Sequence, residues 1–184
     1  MSRFSTSMLR LAAAVLMALA LIGADAPAPG QSPKAGVAKG GEKVQWLSFD
    51  AAVAKAQKEN KHLVIDVYTN WCGWCKVMDR QTYGNTEVAD YLTENFALAK
   101  VNGESAAKLM WQGRSLSERE FAKAVGVSGY PSTFFMKPNA ELLGGVAGYI
   151  KAPDMLIYAK FLHTKYYEKG KLAEFADSLR KLGS

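Results

Sequence analysis

The sequence predicts a mixed α/β fold: a central sheet with helices on both faces. Three observations predict it. From residue 44 onward, apolar runs of strand length alternate with stretches at helical spacing. The run 63–68, LVIDVY, is apolar on both sides except for one acid, as in a strand covered on both faces. Two late runs, 132–136 and 141–146, are joined by the turn dipeptide Pro138-Asn139. The early strands are therefore expected to be parallel and the late pair antiparallel.

In chain order, residues 44–47 read as a short strand. Ser48 is a helix N-cap, and Phe49, Ala52, Val53 and Ala56 follow on one helical face. The charged stretch 58–61 ends that helix. Strand 63–68 carries Asp66 at its middle, an uncommon place for an acid. Residues 76–81 continue a helix that opens at the cysteines. A helix over 87–96 places Val88, Tyr91, Leu92 and Phe96 on one side, and 97–101 is an apolar strand. Residues 103–116 read as a polar connection whose Met110 and Trp111 are core side chains rather than groove lining. Ser117 and Glu120 form a capping box that opens a helix over 117–125. Pro153 suits a first helical turn, followed by Met155, Ala159, Leu162 and Tyr166 on one face. Gly170 breaks this helix, and Leu172, Phe175, Ala176, Leu179 and Leu182 form a last amphipathic one. Tyr166, Tyr167 and the charges of 165–171 read as solvated surface. The apolar faces of the last two helices could pack on the domain or on a second copy, so oligomeric state stays open.

The chain has 184 residues, 49% hydrophobic and 22% charged, which fits one globular domain. Residues 1–10 carry Arg3 and Arg10 and no acid. Residues 11–22 form an apolar run of 12, short of the about 20 that span a bilayer. Gly23, Ala24 and Ala26 follow. This pattern predicts a secretory signal peptide over 1–24, cleaved after Ala24, with an uncleaved membrane anchor as the alternative. The expected location is the periplasm or outside the cell. Residues 25–42, rich in Pro, Gly, Ala and Ser, are a flexible linker. The folded domain then covers 43–184, C-terminal helices included. Twenty-three basic against 17 acidic residues leave +6, with no basic run after residue 42. A nucleic-acid binder concentrates its charge, so that class is set aside.

The two cysteines are Cys72 and Cys75, in Trp71-Cys72-Gly73-Trp74-Cys75-Lys76, between a buried strand and a helix. Cysteines three apart on a first helical turn reach disulfide distance. Helix-terminal N–H groups favour a thiolate on the first of them. Cys72 is thus the expected exposed nucleophile and Cys75 the more buried resolving thiol, linked in turn as a Cys72–Cys75 disulfide. Haem attachment would need His where Lys76 stands. Zinc would need about four ligands, and only His62 and His163 could join the cysteines. A purely structural bridge across two residues closes almost no loop and stabilises little. Redox exchange is what remains, with no metal and no cofactor expected.

The segment 66–76, with Asp66 six residues before Cys72 and Gly129-Tyr130-Pro131-Ser132 later, resembles the active-site parts of thioredoxins. The resemblance covers about 44–162. It is closer to secreted thioredoxin-like proteins, such as those of sulfur-oxidation operons, and to the reductase domain of the transmembrane thiol transporter. It implies a thioredoxin fold in which Asp66 is a buried acid assisting proton transfer from Cys75, with Lys100 beside it. It implies that Pro131 is a cis-proline facing the redox motif, leaving the Tyr130 backbone open to an added substrate strand. Trp71 would shape the edge of the motif. Trp74, with Gly73, stands where thioredoxins carry Gly-Pro, and it reads as partner contact or as packing. The expected activity is thiol–disulfide exchange with protein or small thiol substrates, in the direction of reduction. A membrane thiol transporter would then supply electrons. An oxidase or isomerase of the same fold, or a non-catalytic binding module, are the alternatives.

Overall fold

A computed structural model of the chain describes residues 44–182. The expected signal peptide and linker lie outside the described residues. Helix α1 (Phe49–Glu59) starts at the Ser48 cap, whose hydroxyl accepts from Ala51 N–H, and ends on Asn60 in the left-handed region. Strand β1 (His62–Tyr68) follows, then α2 (Gly73–Met78), which runs into one π-helical turn, Asp79–Tyr83. Helix α3 (Thr86–Asn95) is capped by Asn85 and leads directly into β2 (Phe96–Asn102). Strands β3 (Lys108–Trp111) and β4 (Arg114–Ser117) form a hairpin, and α4 (Glu118–Ala124) opens on the expected capping box. Strands β5 (Ser132–Met136) and β6 (Leu142–Ala147) precede α5 (Ala152–His163) and α6 (Leu172–Leu182).

The main sheet has the order β2-β1-β5-β6. β1 runs parallel to β2 and antiparallel to β5, and β5 is antiparallel to β6. This is the mixed sheet expected from the sequence. Side chains alternate across a strand, so β1 feeds two cores. Leu63, Ile65 and Val67 face α1, α4 and the hairpin. Val64 faces the π-helical turn, α3 and α5. Asp66 has the parity of Val64 and therefore points into that second layer. Lys100 shares the parity of Leu98, and Thr133 that of Phe135, on the same face.

Several sequence expectations are corrected. Residues 44–47 are not a strand: only Leu47 pairs, in one parallel bridge to Ala99, because the chain turns into α1 at the next residue. The connection 103–116 contains the β3–β4 hairpin. Its strands are four residues long, too short for a clear alternation, and Gln112 and Gly113 turn it with φ of 50° and 75°. Leu109 and Leu116 point inward, whereas Met110 is exposed and not core. Trp111 does join the core; it packs edge-on to Phe121 and donates its indole N–H to Ala140 O at 2.9 Å. Residues 166–168 form a 3-10 turn rather than plain helix surface. Tyr167 is half-buried there, its hydroxyl 2.9 Å from Nε2 of buried His62. The apolar faces of α5 and α6 pack inward through Met155, Ala159, Leu162 and Phe175.

Phe121 is fully buried between Phe49 and Trp111, joining the hairpin to α1. Phe121→Ala is expected to cost about 3–5 kcal/mol, read as a lower urea midpoint in equilibrium unfolding.

Candidate redox site

Beyond β1 the chain turns on a Cys72 N–H bond to Thr69 O at 3.2 Å, and Gly103 N–H ties Tyr68 O to the end of β2 at 2.9 Å. Cys72 is the N-cap of α2, and its Sγ accepts from Cys75 N–H at 3.0 Å. The two sulfurs are bonded, with Cα atoms 5.3 Å apart. Both cysteines are 3% exposed, so exposure does not separate them as expected. In the oxidised pair the Cys72 sulfur turns back onto the first turn of α2 and is shielded there. What separates the two is position: Cys72 precedes the helix and Cys75 lies inside it.

Aromatic rings flank the pair. Trp71 is 67% exposed; its indole N–H donates to Glu104 Oε1 at 3.0 Å. Its ring meets Tyr130 edge-on at 5.9 Å, which brings the 129–131 segment alongside the cysteine segment. Tyr130 lies over Gly103, where any Cβ would strike its ring. The Tyr130–Pro131 bond is cis, and Tyr130 lies outside β5, so the sheet leaves its backbone unused. Trp74 is 63% exposed, and its ring also lies 5.7 Å from Tyr149. Gly73 is open, with nothing within 4 Å of a built Cβ.

Beneath the motif, Lys100, Asp66 and Thr133 form one row across β2, β1 and β5, each the register partner of the next. The Lys100 ammonium lies 3.7 Å from Asp66 Oδ2 and pairs more closely with Asp79, from the π-helical turn. It also lies 5.3 Å from the ring centres of Trp46 and Tyr68. Tyr83, at the other end of that turn, donates to Asp66 Oδ1 at 3.4 Å. Burial pushes the Asp66 carboxyl up to about 7 and Asp79 adds repulsion, while Lys100 and the hydrogen bond from Tyr83 oppose the rise. Asp79 N–H in turn bonds the Cys75 carbonyl, so the acid pair and the redox helix share one backbone turn. Among the described residues no group of three or more His, Cys, Asp or Glu is placed to hold a metal.

A family model described as the thioredoxin-like domain matches residues 49–163. The chain belongs to the thioredoxin-like domain family. Thiol:disulfide interchange protein DsbD 2 of Pseudomonas aeruginosa is 26% identical over 97 residues, 53% of this chain and 15% of that protein. Human spermatogenesis-associated protein 20 is 29% identical over 105 residues, 55% of this chain and 13% of that one. The chain spans less than a fifth of the length of the curated relatives it matches. A thioredoxin-fold protein from Helicobacter pylori superposes with TM-score 0.59 at 18% identity, covering 67% of this chain and 87% of that one. That likeness concerns the fold.

Within this thioredoxin-like domain, sequence reasoning does not reach Asp79, Tyr83, Thr133 or Trp46. Thr133 was legible in principle, since antiparallel pairing of 63–67 with 132–136 sets it opposite Asp66. Asp79 and Tyr83 depend on the π-helical turn, which shifts their side chains relative to a regular helix and leaves no pattern in composition. The Trp46 indole N–H and the Thr69 hydroxyl are buried without a partner among the described residues.

Two outcomes follow from the electrostatics. The folded Asp66 binds its proton more tightly than the unfolded chain, so between about pH 4 and pH 7 the protein loses stability as pH rises. A carboxyl moved from 3.8 to about 7 corresponds to an upper bound of about 4 kcal/mol. Asp66→Asn is therefore expected to stabilise the oxidised protein more at pH 8 than at pH 4, read as the difference in thermal midpoints. Asp79→Asn removes a like charge and releases Lys100 toward Asp66. It is expected to lower the Asp66 ionisation midpoint by on the order of one pH unit, read by carboxyl carbon NMR.

Proposed function

We propose that this chain is an exported thiol–disulfide oxidoreductase that works as a reductase. The observation that carries the reading is the Cys72–Cys75 pair at the start of α2 with the buried, raised-pKa Asp66 in the layer beneath. In the reduced protein the Cys72 thiolate attacks a substrate disulfide. One substrate sulfur leaves as a thiolate and the other bonds to Cys72. The Asp66 carboxylate then takes the Cys75 proton, and Cys75 attacks the Cys72 sulfur. The second substrate thiolate departs. Two electrons have passed to the substrate, and the protein is left with the Cys72–Cys75 bond. A carboxyl near 7 suits this step, because it is neutral or ionised according to small changes around it.

Lys100 sets the charge beside Asp66. Trp71, Gly73 and Trp74 surround the entering sulfur, and Tyr130 and Pro131 offer the edge on which an extended substrate lies. Substrates are protein or small disulfides. The signal-like residues 1–24 support action in the periplasm or outside the cell, the segment being cleaved rather than kept as an anchor. The periplasm is kept oxidising, so a reductase there needs a donor. A membrane thiol transporter is taken as that donor, and the likeness to a thiol:disulfide interchange protein supports exchange chemistry in this chain.

The test is reduction of insulin disulfides driven by dithiothreitol. The parent is expected to accelerate it and Cys72→Ser to abolish the acceleration. Cys75→Ser is expected to accumulate one mixed disulfide per chain, seen by mass spectrometry. Acceleration that survives replacement of both cysteines by Ser would overturn the exchange reading in favour of a binding module.

A further inference from the structure

The two Asp66 oxygens are held from different sides. Oδ2 faces Lys100, and Oδ1 faces the Tyr83 hydroxyl. That hydroxyl also lies 3.4 Å from Thr133 Oγ1, where either oxygen can donate. A phenol has one proton. If Tyr83 donates to Asp66, Thr133 can donate to Tyr83, and the two bonds form a relay that ends on the carboxylate. When Asp66 is protonated the relay can reverse, with Asp66 donating to Tyr83 and Tyr83 to Thr133. The same three oxygens thus keep both hydrogen bonds in either protonation state, the reversed relay ending with the Thr133 hydroxyl as acceptor.

The Tyr83 ring is fixed where this requires. It is fully buried and meets Trp46 edge-on at 4.7 Å. The neighbouring Thr82 hydroxyl bonds the Ile150 carbonyl and anchors the π-helical turn. Burial and the adjacent Asp66 hold the Tyr83 phenol well above its usual 10, so it remains a donor wherever Asp66 titrates. The other charged or titratable groups that act on Asp66 are Lys100 from β2, Asp79 from the π-helical turn and Tyr68 on its own strand.

We propose that Tyr83 is a positioning residue of the redox site: its hydroxyl, backed by Thr133, holds the Asp66 carboxylate in the state that accepts the Cys75 proton. The proposal rests on the reading of Asp66 as the base for Cys75.

Tyr83→Phe removes the hydroxyl and keeps the ring. Loss of a donor disfavours the carboxylate, so the Asp66 midpoint in the oxidised protein is expected to rise by about half a pH unit or more, read by carboxyl carbon NMR. Thr133→Val is expected to move it in the same direction by less, and Thr133→Ser, which keeps a hydroxyl, to restore the parent midpoint. The second readout is the pH dependence of thionitrobenzoate release from a Cys72 mixed disulfide, where the rising limb is expected to shift upward with the NMR midpoint. An unchanged Asp66 midpoint in folded Tyr83→Phe and Thr133→Val overturns the proposal. A shifted midpoint with an unshifted release limb leaves the hold on Asp66 standing and overturns its role for Cys75, and with it the reading on which the proposal rests.

Discussion

Asp66 is 2% exposed, in the middle of a strand covered on both faces, and desolvation of its carboxylate opposes folding by several kcal/mol if nothing answers it. Much of the second layer can be understood from that constraint. Lys100 reaches it because β1 and β2 pair in parallel with Asp66 opposite Lys100. Thr133 reaches it because β1 and β5 pair antiparallel with Asp66 opposite Thr133. Asp79 and Tyr83 reach the same row because the helix that begins at the cysteines ends in a π-helical turn. A shift of one residue in either strand pairing would turn Asp66 or its partner to the other face.

One lysine is shared by two acids, and the sharing is unequal. Lys100 contacts Asp79 more closely than Asp66, so Asp66 is left with a partial counter-charge. A full ion pair would hold the carboxylate ionised far below neutrality, and no cation at all would keep it neutral far above. The observed arrangement lies between these limits, and it uses Trp46 and Tyr68 to surround the ammonium with ring faces. The redox pair above is served by the same turn, since Asp79 bonds the Cys75 carbonyl through its backbone and Lys100 through its side chain.

Much of this was legible in the sequence. Leu63 to Val67 announces a doubly covered strand, Ser48 and the Ser117–Glu120 pair announce two helix starts, and the resemblance to thioredoxins implies the buried carboxyl at the acid six residues before Cys72. Less legible were features that arise from short-range geometry or long-range register. The β3–β4 hairpin rests on four-residue strands and two positive φ angles at Gln112 and Gly113. The burial of Cys72, whose sulfur is bonded to Cys75 and accepts from the Cys75 N–H, has no counterpart in the sequence pattern. Tyr83 carries no signal in the sequence, and only the fold shows its hydroxyl against Asp66.

The site combines a shielded sulfur pair, a poised acid and exposed Trp71 and Trp74 at its rim. Gly73-Trp74 stands where thioredoxins carry Gly-Pro, so Trp74 is the departure, and the residues between two cysteines influence their redox poise. The most direct measurement is therefore the reduction potential of the Cys72–Cys75 pair, by equilibration of the purified protein with defined thiol–disulfide buffers. A value near about −270 mV is expected for a reductase fed by a thiol donor. A value of about −120 mV would mark an oxidant and contradict the direction of electron flow proposed for this chain.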